Sequence, residues 1–107
     1  MKAVSARELA AWLADDVRDK PLLLDVREPW ETQICRIEGS ELVPMQALPA
    51  RLSQLDAEVP IVCICHHGGR SAHVAMFLAR HGYKDVYNLT GGVDAWARQV
   101  DTAMPTY

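Results

Sequence analysis

The sequence predicts an α/β fold of about five mainly parallel strands, flanked by helices on both faces. Three observations lead there. Short apolar runs alternate along the chain with segments of helical periodicity, the order of βαβ units. The runs Leu22-Leu23-Leu24 and Ile61-Val62-Cys63-Ile64 lack the in–out alternation of a sheet with one wet face, so they suit strands covered on both sides. Glycine pairs, Gly68-Gly69 and Gly91-Gly92, follow two of the runs and open helix-like segments.

The elements follow in order. Lys2-Ala3-Val4 suits a short first strand. Ser5 and Glu8 have the spacing of a capping box. Leu9, Trp12, Leu13 and Val17 recur at helical spacing after it, which predicts a helix from about Ala6 to Asp16 with a buried stripe. Pro21 marks the exit, and the strand Leu22 to Val26 follows. Ile37 to Met45 reads as a turn, a very short strand and a proline stop. Leu48, Leu52 and Leu55 predict a second amphipathic helix, with Pro49 tolerated in its first turn. Pro60 resets the chain before the strand Ile61 to Cys65. There Ile61, Cys63 and Cys65 share a face, which makes Cys63 a small core hydrophobe and Cys65 the exposed end of the row. A helix after Ser71 turns Val74, Phe77 and Leu78 inward and closes at His81-Gly82. Asp85 to Leu89 is the next strand. Thr90-Gly91-Gly92 feeds a last helix with Val93, Trp96 and Ala97 facing the core.

A chain of 107 residues is one domain, 1–107, with a single core; residues 101–107 read as a short frayed tail. A net charge of −3 argues against nucleic-acid binding, which calls for a basic patch. No segment approaches the roughly 20 apolar residues of a membrane span, and Met1-Lys2-Ala3-Val4-Ser5 has no signal-peptide core. The three cysteines suggest no disulfide framework. A reducing, cytoplasmic setting is expected, with Cys35 and Cys63 inert.

Chemistry concentrates at Cys65-His66-His67-Gly68-Gly69-Arg70-Ser71. The cysteine stands at the C-terminal end of a strand, the edge where open α/β sheets bind ligands. Unpaired N–H groups at the following helix start favour an anion, and two glycines let the backbone curl around one centre. Arg70 adds a permanent charge. The stretch reads as a nucleophilic thiolate in an anion cradle formed by residues 66–71. Asp25 and Arg27 end the earlier strand in a charged cluster at the same edge, if the strands are parallel. They can brace the cysteine loop or serve the fold alone. Glu28 and Glu31 read as the acidic start of a short helix. His66 and His67 are expected to face solvent or the entry path. Adjacent histidines after Cys63-Ile64-Cys65 do not match zinc spacing, so no metal or other cofactor is expected.

Four stretches together resemble the single-domain rhodaneses, over nearly the whole chain. Asp25-Val26-Arg27-Glu28 is similar to the first signature of that family. Ile37-Glu38-Gly39-Ser40 with Val43-Pro44 is similar to its Gly-Ala-x-x-Ile-Pro element. Residues Cys65 to Ser71 resemble its active-site loop, and Tyr87 to Trp96 its C-terminal signature. The chain departs from the family at Cys35-Arg36-Ile37, where Gly-His-Ile is common. The resemblance implies a five-stranded parallel sheet and a sulfurtransferase. It implies that Cys65 takes a sulfane sulfur from a donor such as thiosulfate and holds it as a persulfide. The sulfur then passes to cyanide, a thiol or a sulfur-carrier protein. Arg70 would hold the anionic donor and stabilise departing sulfite.

Two other readings are open. Cysteine-dependent phosphatases and arsenate reductases also set a cysteine and an arginine around an N–H cradle, but with five residues between them. Here there are four, His66 to Gly69, and the smaller ring suits a sulfur atom. Non-catalytic rhodanese-like binding modules usually lack the cysteine, which this chain has.

Overall fold

The computed structural model describes residues 1–107. The element order is β1 (Lys2–Val4), α1 (Ala6–Ala14), β2 (Leu22–Asp25), α2 (Pro29–Ile34), β3 (Glu41–Leu42), α3 (Leu48–Arg51), β4 (Ile61–Ile64), α4 (Gly69–Arg80), β5 (Val86–Leu89) and α5 (Gly92–Gln99). All five strands are parallel, in the order β1-β5-β4-β2-β3. The central strand β4, with Cys65 just beyond it, alternates between two cores, one on each face of the sheet, where chain length alone suggests a single one. Ile61, Cys63 and Cys65 join Leu24, Val74 and Leu78 on the α4 face, while Val62 and Ile64 join Leu9, Trp12 and Trp96 on the α1 and α5 face. This alternation inside a wholly apolar run is what a two-sided sheet requires. No helix is long and apolar enough to cross a membrane.

The register sets the site. Asp25 pairs with Ile64 across β2 and β4, so Asp25 and Cys65 leave the sheet at the same edge, as parallel strands demand. Ser5 caps α1 through the anticipated box: its hydroxyl accepts from the Glu8 N–H at 3.1 Å, and Glu8 accepts from the Ser5 N–H at 2.8 Å.

Three readings change. Helix α1 stops at Ala14, two residues early, and Val17 is 94% exposed rather than part of the buried stripe. Asp15 turns the chain there, its carboxylate accepting from the N–H groups of Val17 and Arg18. The second amphipathic helix is broken into a 3-10 turn at Met45–Ala47, the single α turn of α3 and another 3-10 turn at Leu52–Gln54. Pro49 lacks an N–H and clashes with a carbonyl four residues back, so a helix cannot run through it from Met45. Leu48 and Leu55 are nevertheless buried as their spacing implies. Residues 101–107 contain no helix or strand, yet they do not hang free: Tyr107 returns to the C-terminal edge of the sheet.

Glycine makes the two turns at that edge possible. Gly92 has φ +59°, and a Cβ on it would stand 2.3 Å from the Cys65 carbonyl oxygen and 2.4 Å from that of His66. Gly69 has open space instead. Gly92→Ala is therefore expected to cost about 3 kcal/mol or more in urea unfolding, while Gly69→Ala stays within about 1 kcal/mol of wild type. Equal stabilities for the two variants would contradict this packing.

Candidate active site

Cys65 lies one residue beyond β4 and is 1% exposed, so it is a buried thiol and not the exposed end of its row. Its Sγ accepts from the Gly68 N–H at 3.1 Å and lies 3.2 Å from the Ser71 hydroxyl. Gly68 is the N-cap of α4 at φ +105°, a left-handed conformation that turns its N–H back onto the sulfur. The Ser71 hydroxyl also meets Asn88 Oδ1 at 2.5 Å; its single proton serves the sulfur or the amide, one at a time. Asn88, on β5, donates from Nδ2 to the Gly68 carbonyl at 3.1 Å and so braces the loop from both sides. In the sequence, Asn88 stands only within the C-terminal signature stretch, with no local signal of this role.

The loop is held from below by α5. The Val93 N–H donates to the Cys65 carbonyl at 2.9 Å and the Asp94 N–H to the His66 carbonyl at 3.1 Å. These donors are among those a helix start leaves unpaired.

Arg70 sits in the first turn of α4 and forms a two-pronged pair with Glu31, Nη1 to Oε2 and Nη2 to Oε1, both 2.8 Å. The reading of Glu31 as a mere helix start is thereby corrected. Glu31 does close a capping box, accepting the Glu28 N–H at 2.8 Å, but it is also buried against Arg70 and accepts the Tyr107 hydroxyl at 2.8 Å. Arg70 holds the Glu31 carboxyl down to about 2, against the opposing effect of burial. The same pair holds the Arg70 guanidinium above its ordinary value.

Arg27 is fully buried. It grips Asp25 with Nε to Oδ1 at 3.0 Å and Nη2 to Oδ2 at 2.8 Å, and donates to the Cys35 carbonyl at 2.8 Å and the Tyr107 hydroxyl at 2.9 Å. Burial opposes the charge, but Asp25 and Tyr107 outweigh it and hold the guanidinium above its ordinary value. Asp25 and Arg27 thus reach the cysteine loop indirectly, through Tyr107, Glu31 and Arg70. Burial pushes the Tyr107 phenol up to about 12, with Glu31 adding to the rise and Arg27 opposing it. Cys63 is buried and pushed up to about 12 by that burial, which suits the inert core role. Cys35 is also buried, its carbonyl and thiol turned to Arg27.

His66, expected to face solvent or the entry path, is half-buried. Its ring stacks on Tyr107 with centroids 3.8 Å apart and planes 8° apart, and on its other side meets His67 at 3.8 Å. Burial, then His67, holds it below the usual imidazole range. His67 is exposed, as expected. Nothing in the spacing of the sequence could have placed Tyr107 here, because it belongs to a tail with no helical or strand pattern.

Comparison with known proteins agrees with this fold. Residues 5–99 match the family model described as a rhodanese-like domain. A sulfurtransferase from Allochromatium vinosum is 35% identical over 95 residues, covering 89% of this chain and 87% of that protein. A rhodanese-like/PpiC domain-containing chloroplastic protein from Arabidopsis thaliana is 38% identical over 112 residues, but the chain spans only 38% of that protein's length. The crystal structure of a rhodanese-like domain protein from Staphylococcus aureus superposes with a TM-score of 0.82 at 31% identity, covering 90% of this chain and 91% of that one.

The Glu31 pair has a signed consequence for acid stability. Its carboxyl titrates lower folded than unfolded, so its contribution is present above the unfolded value near 4.5 and is lost as pH falls towards 2. In urea unfolding at a series of pH values, Glu31→Gln is expected to be less stable than wild type at pH 6. The gap should shrink steadily between pH 5 and pH 2. A gap that does not change over that range would contradict the assignment.

Proposed function

The chain belongs to the rhodanese-like family, and we propose that it is a sulfurtransferase whose nucleophile is Cys65. Sulfurtransferase relatives support a rhodanese-type enzyme. The observation that carries the residue assignment is the environment of one atom. The Cys65 sulfur faces the Gly68 N–H and the Ser71 hydroxyl, donors that stabilise a thiolate and then an anionic persulfide.

In the first step the Cys65 thiolate attacks the outer, sulfane sulfur of thiosulfate. The new S–S bond forms on Cys65 as the S–S bond of the donor breaks, and its electron pair leaves with sulfite. In the second step cyanide or a thiolate attacks the outer sulfur of the persulfide. The bond to Cys65 breaks and the thiolate is restored, with thiocyanate or a new persulfide as product. No proton need move in the cyanide reaction, so neither His66 nor His67 is given general-base work. Of the cradle expected over His66 to Ser71, the Gly68 N–H and the Ser71 hydroxyl meet the sulfur, and the left-handed Gly68 alone makes the curl; Gly69 is an ordinary first-turn residue of α4. Arg70 is already paired with Glu31 and its side chain is 39% exposed, so its remaining N–H groups are offered to the sulfonate of the donor. Asp25, Arg27, Tyr107 and Glu31 orient that guanidinium. A sulfur-carrier protein or a small thiol is the acceptor class for this chemistry in a cell.

A phosphatase would need the same thiolate with a wider ring; the four residues between Cys65 and Arg70 favour sulfur over a phosphoryl group. Steady-state assays separate the two. Wild type is expected to form thiocyanate from thiosulfate and cyanide and to leave an aryl phosphate intact. Cys65→Ser should lower thiocyanate formation by at least about a thousandfold with unchanged circular dichroism. Arg70→Ala should raise the KM for thiosulfate about tenfold, the scale of one lost charged contact. Retained transfer in Cys65→Ser, or aryl phosphate hydrolysis without transfer, would overturn the reading.

A further inference from the structure

We propose that His66, His67 and Asp94 form a binding site for a divalent late first-row transition ion, of the Zn2+ or Ni2+ class, beside the Cys65 loop. One ring nitrogen from each histidine and a carboxylate oxygen of Asp94 lie within 4.8 Å of one another. Ligands about 2.1 Å from a tetrahedral ion stand about 3.4 Å apart, so side-chain rotation of little more than an ångström closes the set. His67 is exposed and Asp94 only partly buried, so both have room for that rotation.

The backbone brings the three together before any ion arrives. The Asp94 N–H donates to the His66 carbonyl at 3.1 Å, and the Val93 N–H to the Cys65 carbonyl at 2.9 Å. The two histidines are adjacent in the chain, and their rings lie 3.8 Å apart. A second observation points to a missing partner. Nε2 of His66 is buried with no hydrogen-bond partner, a state rare enough in folded proteins to call for a cause. The competing contact is the pair between Asp94 and Arg98 at 2.9 Å, and a pair to so exposed an arginine holds its carboxylate weakly. Two imidazoles and one carboxylate suit Zn2+ or Ni2+ and not the hard ions Mg2+ and Ca2+. The cysteines are absent from the set, so the site stands whether or not Cys65 transfers sulfur.

Isothermal titration calorimetry with Zn2+ and with Ni2+, on the 107-residue Cys65→Ser chain, tests this without a competing site-loop thiol. One ion per chain is expected, with no comparable heat from Mg2+. His67→Gln and Asp94→Asn, each added to that background, should each weaken binding at least tenfold. His67 is exposed and Asp94 partly buried, both replacements are close in size, and circular dichroism checks the fold. His73→Ala, at an exposed histidine on α4 outside the set, should leave the affinity unchanged. Absence of one-equivalent binding, a weakening of less than tenfold in either variant, or an equal effect of His73→Ala overturns the proposal.

Discussion

The backbone of Gly92 lies against the carbonyls of Cys65 and His66, closer than any side chain would permit. That contact lets the first N–H groups of α5 bond the two carbonyls, so the cysteine loop rests on a helix start. Gly68 makes the matching approach from the other turn: a Cβ there would meet the Gly91 nitrogen at 3.3 Å and the Leu89 carbonyl at 3.4 Å. Two left-handed glycine turns therefore interlock, and Asn88 crosses between them. The position of the Cys65 sulfur relative to its donors follows from this interlock. A loop free to relax would offer the same residues without the same geometry, and stabilisation of a reacting anion depends on donors already in place.

The charged side of the site is a relay. Asp25, Arg27, Tyr107, Glu31 and Arg70 are joined in sequence by contacts of 2.8 to 2.9 Å. Removing one partner would strand a buried charge, which costs far more than the intact pair contributes to stability. Such a relay is better suited to holding Arg70 in one orientation than to strengthening the fold. Its middle member comes from the end of the described chain, so Tyr107 couples that segment to the loop through both its hydroxyl and its stack on His66.

Most of the architecture was legible in the sequence because periodicity and punctuation report burial. The strand runs, the glycine turns, the capping box and the burial of Leu48, Cys63, Val74 and Trp96 all follow from local pattern. The cysteine loop was legible for the same reason: its residue types are confined to a few consecutive positions. What could not be read were contacts set by topology. Glu31 satisfies its local role in a capping box, and nothing in that pattern reveals Arg70 across the sheet edge. Tyr107 sits in a patternless tail. Asp94 comes beside His66 and His67 only when α5 docks. Val17 failed for a local reason, since the Asp15 turn ended the helix before its apolar stripe was complete. Cys65 is buried where strand alternation predicts an exposed end, because alternation assigns a face and not the depth to which the following loop covers it.

The central claim is that Cys65 carries the transferred sulfur. Intact mass spectrometry of wild type and Cys65→Ala, before and after thiosulfate and again after cyanide, tests it directly. Wild type is expected to gain one sulfur atom that cyanide removes, and Cys65→Ala to gain none. No gain on wild type, or an equal gain on the variant, would contradict it.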